Sequence, residues 1–460
     1  MSFPSESTTK ETGLYRAVSL YLRPRLLVVF CLGIASGFPL TLTLSTLGYW
    51  LAEEGVTRST IGLFAMVGTP YSLKFLWSPV IDRMPLPVLG RMFGRRRSWL
   101  FVIQGCLAVA VMGLGSTEPG VDAAMTGLFA VSVAFFSASQ DIVIDAYRIE
   151  ILKDEELPAG SAMIQFGSRV GYLVAGAGAL LLADVWGWQE TYFAMTGLLL
   201  FGTLAVLYAG EPEEKPSDFI KQEDARFAAM LDDGKPGAGK RLALWMYEAV
   251  VLPFKEFMTR PGWLLIVVFV LVYKMGDSMA SIMTAPLLVD LDFSKAEIAY
   301  ANKVLGFASL IVGTYLGGLL LPLLGMYRGL LLTGFLMMIS NLSFAVLADM
   351  GHDVRMLAFA IGFENFASGM GLAVLVTFLS GLCNVAFTAT QYALLSSLAA
   401  VGRNFLSAPS GVWADMIGWV DFFVLTTVAA VPGLILLWVM KRRGFITENL
   451  RQTSRDRTSG

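Results

Sequence analysis

Histidine occurs once, at His352, and cysteine three times, at Cys31, Cys106 and Cys383, in 460 residues. A single histidine cannot build a histidine-based metal cluster, and it makes a histidine-dependent catalytic triad improbable. The three cysteines all lie in apolar stretches, where they read as small core hydrophobes rather than as a disulfide framework. Charge is scarce as well: 15% of the residues are Asp, Glu, Lys or Arg, against about 25% in ordinary soluble domains. The formal net charge of -2 gives no basic footprint for nucleic acid. These shortages point away from an enzyme, a metal centre, a resident cofactor or a nucleic-acid partner.

Hydrophobic residues make up 55% of the chain, which places it among polytopic membrane proteins. Apolar runs near the roughly 20 residues that a bilayer demands recur at 25–51, 59–80, 98–117, 129–150, 159–184 and 188–209. A second set follows at 262–288, 296–321, 328–349, 355–382, 388–412 and 419–440. The first run is too long for a signal-peptide core and is expected to stay as a spanning helix. Gly33, Gly37 and Pro39 interrupt it, so one of its faces should meet other helices or water. The expected fold is therefore all-α, with about twelve transmembrane helices in two six-helix halves.

The organisation follows from the polar breaks: a tail at 1–24, a half at 25–209, a linker at 210–261, a second half at 262–440 and a tail at 441–460. Within the linker, Gly234 to Lys240 imitates a phosphate-binding loop, but the next residue is Arg241 where a Ser or Thr should hold magnesium, and no strand precedes it. Residues 242–258 read as an amphipathic helix on the inner membrane surface. Arg16, Arg95, Lys153, Lys240, Arg328 and Arg442 lie in alternate loops, whereas the others offer little beyond Arg58, Lys295 and Arg355, so both termini are expected in the cytoplasm. GSRVG followed by LADVWGW near 167–188 is echoed by VGRNF followed by WADMIGW near 401–419, as two related halves would require.

Ionisable residues inside apolar spans mark functional sites unless they are merely paired to hold helices together. The fourth span carries Gln140, Asp141, Asp145 and Arg148, and the two carboxylates share a helical face. Asp141, Asp145 and Glu364 are the candidates for proton coupling. Asp141 is expected to face Arg169 at similar depth, and Glu364 to face Arg403. Lys274 and Asp277 are spaced to neutralise one another on the seventh span, with Lys274 near mid-bilayer. Lys274, Asp277, Gln140, Arg169, Asn365 and Arg403 form the candidate substrate-binding set, suited to carboxylates and sugar hydroxyls or to any zwitterionic or anionic solute.

Between the second and third spans, Asp82–Arg83 and Arg95–Arg96–Arg97 in GRRR resemble the loop signature of the major facilitator superfamily, with MPLPVLGRMF inserted between its parts. Four stretches are similar, more specifically, to the AmpG family of muropeptide permeases: YLRPR at 21, IGLFAMVGTPYSLKFLWSPVIDR at 61, AFFSASQDIVIDAYR at 134 and FTATQYALLSSLAAVGR at 387. The resemblance covers nearly the whole membrane portion. It implies the major facilitator fold and a cytoplasmic gate loop built on Asp82, Arg83, Arg95, Arg96 and Arg97. It further implies proton-coupled import of anhydro-muropeptides across a bacterial inner membrane for peptidoglycan recycling, by a monomer, with an influence on β-lactamase induction. Relatives of that family include acetyl-CoA transporters, so another anionic solute such as an acyl-CoA is the alternative cargo. A receptor or scaffold without transport would need a larger soluble domain than the linker provides.

Overall fold

The computed structural model describes residues 21–56, 64–213, 247, 251–384, 387–407 and 409–446. The imitation phosphate loop, most of the linker and the start of the expected amphipathic helix lie outside the described residues; Leu252–Met258 is helical. Helices of nine residues or more are numbered α1 to α13. They are α1 Pro24–Thr41, α2 Arg95–Gly115, α3 Ala123–Ile151, α4 Leu157–Leu173, α5 Trp188–Thr196 and α6 Leu199–Ala209. After the linker come α7 Trp263–Val272, α8 Met275–Asp290, α9 Phe307–Leu324, α10 Met326–Met350, α11 Val354–Leu382, α12 Thr388–Ser407 and α13 Trp419–Arg442. The described residues contain no strand.

Among the described residues, ten continuous helical stretches are long and apolar enough to cross a bilayer. The expected second and eleventh spans are not among them. Where the second was expected, short turns run through Ala65–Gly68, Thr69–Leu73, Lys74–Leu76 and Ser78–Arg83, with Pro70 and Pro79 each opening a new turn. Proline lacks the N–H that would continue a helix, so the run breaks into pieces although its composition is apolar. Around the eleventh, α12 covers Thr388–Ser407 and contains Gln391 and Arg403, residues 385–386 and 408 lie outside the described residues, and Ser410–Ile417 is helical.

The chain divides into two compact units. Unit 1 gathers Met1–Glu156, Met163–Pro253 and Cys383–Leu394; unit 2 gathers Leu157–Ala162, Phe254–Leu382 and Leu395–Gly460. Residues 157–162, at the start of α4, belong to unit 2, and residues 383–394, at the start of α12, belong to unit 1. In unit 1, α2 packs on α3 and α1 on α6, around Phe38, Leu107, Val111, Val133 and Tyr192. In unit 2, α9 packs on α11 and α10 on α13, around Met279, Phe344, Leu357, Phe422 and Phe423.

Glycine governs the closest approaches. In unit 1, Gly33 and Gly37 of α1 face Gly167 and Gly171 of α4; a methyl group on Gly33 would lie 2.5 Å from the Ile164 carbonyl, and one on Gly37 would collide with Ser168 backbone. This meets the expectation that the interrupted first span presents a face to another helix, since small residues let backbones touch. Gly37→Ala is expected to destabilise by about 1–3 kcal/mol through overpacking. Gly48→Ala, which would meet no atom within 4 Å, should be nearly neutral by comparison. Thermal unfolding of the two purified variants checks the contrast.

The sequence echo becomes a repeated turn. Gly187 and Gly418 both adopt positive φ, at 91° and 80°, and each precedes a tryptophan that opens the next helix. In unit 1, Trp188 Nε1 donates to Glu53 Oε2 at 2.8 Å; in unit 2, Trp419 Nε1 donates to Asp290 Oδ2 at 3.0 Å. The same local solution in both units is what duplicated halves leave behind.

Candidate functional site

Unit 1 builds a polar strip along one face of α3. Ser137, Asp141 and Asp145 recur every four residues and so lie on the same side of the helix. The fragmented second span covers that face: the Tyr71 hydroxyl lies 2.7 Å from Ser137 Oγ, Trp77 Nε1 donates to Ser139 Oγ at 2.9 Å, and Lys74 Nζ lies 3.9 Å from Asp145 Oδ2. Asp145 also approaches Arg148 Nη2 at 3.6 Å. Asp141 Oδ1 instead accepts a hydrogen bond of 2.6 Å from Ser36 Oγ of α1, a neutral partner. No cation lies within 4 Å of it among the described residues, although the Lys74 charge is near enough to act on it. The expected Asp141–Arg169 pair does not form; the Arg169 guanidinium lies over the Tyr172 ring at 5.4 Å. Gln140 is fully buried, its Nε2 donating to the Ala35 carbonyl at 2.8 Å, so it fastens α3 to α1.

The loop between the second and third spans closes around Arg96. Its Nη2 lies 2.7 Å from Asp82 Oδ1 and 2.5 Å from Glu150 Oε1, with the arginine 1% and the aspartate 0% exposed. Asp82 Oδ2 accepts the Thr390 N–H at 3.0 Å and its hydroxyl at 2.9 Å. Burial pushes the Asp82 carboxyl up, but Arg96, Arg95 and the hydrogen bonds from Arg96 and Thr390 together carry it below its ordinary value. Arg95 Nη1 donates to the Asp82 carbonyl at 2.6 Å, Arg83 lies over Phe387 at 4.7 Å, and Arg97 lies over Phe93 at 5.7 Å. Glu211 accepts the backbone N–H groups of Arg96 and Arg97 at 2.7 and 3.0 Å, capping α2 from the start of the linker, and burial raises its carboxyl. A cleft of about 400 Å³ lined by Arg83, Pro85, Gly90, Gly94, Arg95 and Glu211 opens beside it. Among the expected gate residues, Arg96 makes a two-carboxylate clamp.

Unit 2 holds a second polar centre where the seventh span breaks. α7 ends at Val272, α8 starts at Met275, and Lys274 sits between them at φ -103° and ψ 12°. The expected pair forms, with Lys274 Nζ 3.0 Å from Asp277 Oδ2. Ser368 of α11 joins it, receiving a hydrogen bond from Lys274 Nζ at 3.1 Å and lying 3.2 Å from Asp277 Oδ2. One turn earlier on α11, Glu364 lies within electrostatic reach of both Asp277 and Lys274. Asn365 Nδ2 donates to its own helix at Ile361 O, 2.9 Å. The expected Glu364–Arg403 pair is absent: Arg403 is exposed and makes no ion pair with Glu364 among the described residues.

Sequence reasoning missed Lys74, Ser36, Tyr71 and Ser368. Lys74 carries a signal, being a lone lysine inside the apolar run of the expected second span. The described residues contain no group of three or more His, Cys, Asp or Glu side chains able to hold a metal.

Comparison with known proteins agrees with this architecture. Residues 27–380 match the Major Facilitator Superfamily model. The anhydromuropeptide permease of Escherichia coli K12 is 39% identical over 425 residues, covering 92% of this chain and 81% of that one. A putative transporter AmpG 4 of Rickettsia felis is 33% identical over 421 residues, covering 91% of this chain and 97% of that one. Among solved structures, the proton:xylose symporter XylE aligns with a TM-score of 0.62 at 14% identity, over 94% of this chain and 99% of that one. The human organic anion transporter MFSD10 aligns at 0.59 with 16% identity, over 90% and 99%. Its relatives are permeases and transporters rather than enzymes. An all-α chain with repeated membrane helices, matched along nearly its whole length by these relatives, belongs to the AmpG-type muropeptide permease family of the major facilitator superfamily.

Proposed function

We propose that this transporter carries anhydro-muropeptides, GlcNAc-1,6-anhydroMurNAc and its peptides, from periplasm to cytoplasm for peptidoglycan recycling, driven by protons. The observation that carries the cargo is the 39% identity across 92% of the chain to a permease named for it. Support for proton coupling comes from Asp141, an intramembrane carboxylate held by a serine hydroxyl rather than by an ion pair. The same reading puts a monomer in the bacterial inner membrane with both termini cytoplasmic. It assigns cargo carboxylates to Lys274 and sugar hydroxyls to Ser368 beside it and to Asn365 on the same helix as Ser368. Uptake of labelled anhydro-muropeptide into vesicles, with and without an imposed pH gradient, tests it. Gradient-dependent accumulation is expected, and uptake indifferent to the gradient overturns the coupling.

Lys274 offers a sharper check. Removing it alone would strand the buried Asp277, a loss of about 3–5 kcal/mol for a broken buried pair. The double variant Lys274→Ala with Asp277→Asn avoids that penalty. It is expected to purify like the parent yet bind cargo about tenfold or more weakly, the worth of a charge-assisted hydrogen bond. Unchanged affinity in detergent-purified protein removes Lys274 from the site.

A further inference from the structure

Three charged groups meet at the break in the seventh span, and they do not balance. Lys274 brings one positive charge, while Asp277 and Glu364 bring two negative ones within its reach. The ammonium is already committed to Asp277 Oδ2 at 3.0 Å and to Ser368 Oγ at 3.1 Å. Asp277 Oδ1 is buried with no hydrogen-bond partner, although the residue is only 7% exposed. The described hydrogen bonds and ion pairs leave the half-buried Glu364 carboxylate out as well. The neighbouring Asn365 amide is spent on Ile361 O, and the exposed Arg403 makes no ion pair with either acid among the described residues.

An intramembrane carboxylate without compensation is costly, so with both acids ionised the corner lacks one cation among the described residues. We propose that this corner of unit 2 is a subsite for a primary ammonium group of the cargo, received by the Glu364 carboxylate beside Asp277 Oδ1. The proposal rests on the muropeptide reading and adds to it a selection for cargo whose peptide bears a free amine. An ammonium group supplies three donors and one positive charge, the two things the corner lacks. Among the described residues, the charges that act on Glu364 are Asp277, in the first turn of α8, and Lys274, just before it. A proton on Glu364 and an ammonium beside it are therefore alternative occupants of the same place.

Calorimetric titration of the purified full chain with three probes tests this. They are an anhydro-muropeptide with a free primary amine in its peptide, the same molecule with that amine acetylated, and the peptide-free anhydro-disaccharide. Acetylation is expected to weaken binding about tenfold or more in the unaltered protein. Glu364→Gln should bind both peptide forms equally, at the weaker level. Equal affinity for the two forms in the unaltered protein overturns the subsite, and so does a preference for the free amine that persists in Glu364→Gln. If Glu364→Gln does not purify as a monodisperse species, Asp277→Asn takes its place, with the same expected loss of preference. Disaccharide binding without amine preference sinks the subsite alone, whereas failure of all three probes to bind sinks the cargo assignment with it.

Discussion

Arg96→Gln is expected to lose about 3–5 kcal/mol of stability, enough to remove most folded protein from a membrane preparation. Arg96 is 1% exposed and touches two carboxylates, Asp82 at 2.7 Å and Glu150 at 2.5 Å, so its removal strands two buried negative charges at once. Desolvation makes that asymmetric: the intact cluster is nearly neutral in worth, but the broken one is heavily penalised. Arg97→Gln should be mild, since Arg97 rests over Phe93 and Phe101 and neutralises no described carboxylate within 4 Å. The triple variant Arg96→Gln, Asp82→Asn, Glu150→Gln should recover much of the lost yield. The check is the amount of monodisperse protein after detergent extraction, compared across all three. Equal losses for Arg96→Gln and Arg97→Gln would mean that loop charge matters rather than the clamp.

The three arginines of GRRR show where sequence stops being informative. Their presence marked the loop, because basic residues flanking a span obey the membrane's charge asymmetry. Which of them turns inward depends on helical phase: α2 begins at Arg95, and a step of about 100° per residue separates consecutive side chains. Nothing in the run itself selects Arg96. Long apolar stretches with flanking glycine turns gave most of the spans, and the repeated D-x-x-G-W pattern gave the relation between halves. The second span was expected at 59–80, but its breaks were hidden because hydropathy sums over residues, whereas Pro70 and Pro79 act at single positions.

The failed pairings have one common cause. Asp141 with Arg169, and Glu364 with Arg403, were matched by depth along a helix axis, and depth leaves rotation about the axis free. Arg169 stacks on Tyr172, and Arg403 is exposed. The pair that did form, Lys274 with Asp277, lies within one span at i,i+3, where local geometry fixes both depth and rotation. Contacts between helices distant in sequence, such as Ser36 with Asp141 or Lys274 with Ser368, required the fold itself.

Asp141→Asn is expected to abolish gradient-driven accumulation while leaving exchange of cargo between vesicle interior and exterior at equal pH. The argument starts from its partner. Asp145 has two cationic partners, Lys74 at 3.9 Å and Arg148 at 3.6 Å, whereas among the described residues Asp141 is met by the neutral Ser36 hydroxyl at 2.6 Å. Low dielectric surroundings favour the neutral form of a carboxyl and a nearby cation favours the charged one, so a small movement of Lys74 toward or away from Asp141 would load or release a proton. Each pH unit across the membrane is worth about 1.4 kcal/mol per proton, or about a tenfold accumulation ratio, and that ratio should fall to one in Asp141→Asn. Asparagine keeps the size of the side chain and can still accept from Ser36, so the packing of α3 on α1 is retained. Lys74→Gln should leave some coupling but displace its pH dependence, because it removes the charge that sets when Asp141 gives up its proton. Accumulation that stays proton-driven in well-folded Asp141→Asn protein rules Asp141 out. The coupling would then fall to Glu364, where a proton and the cargo's amine compete for one carboxylate.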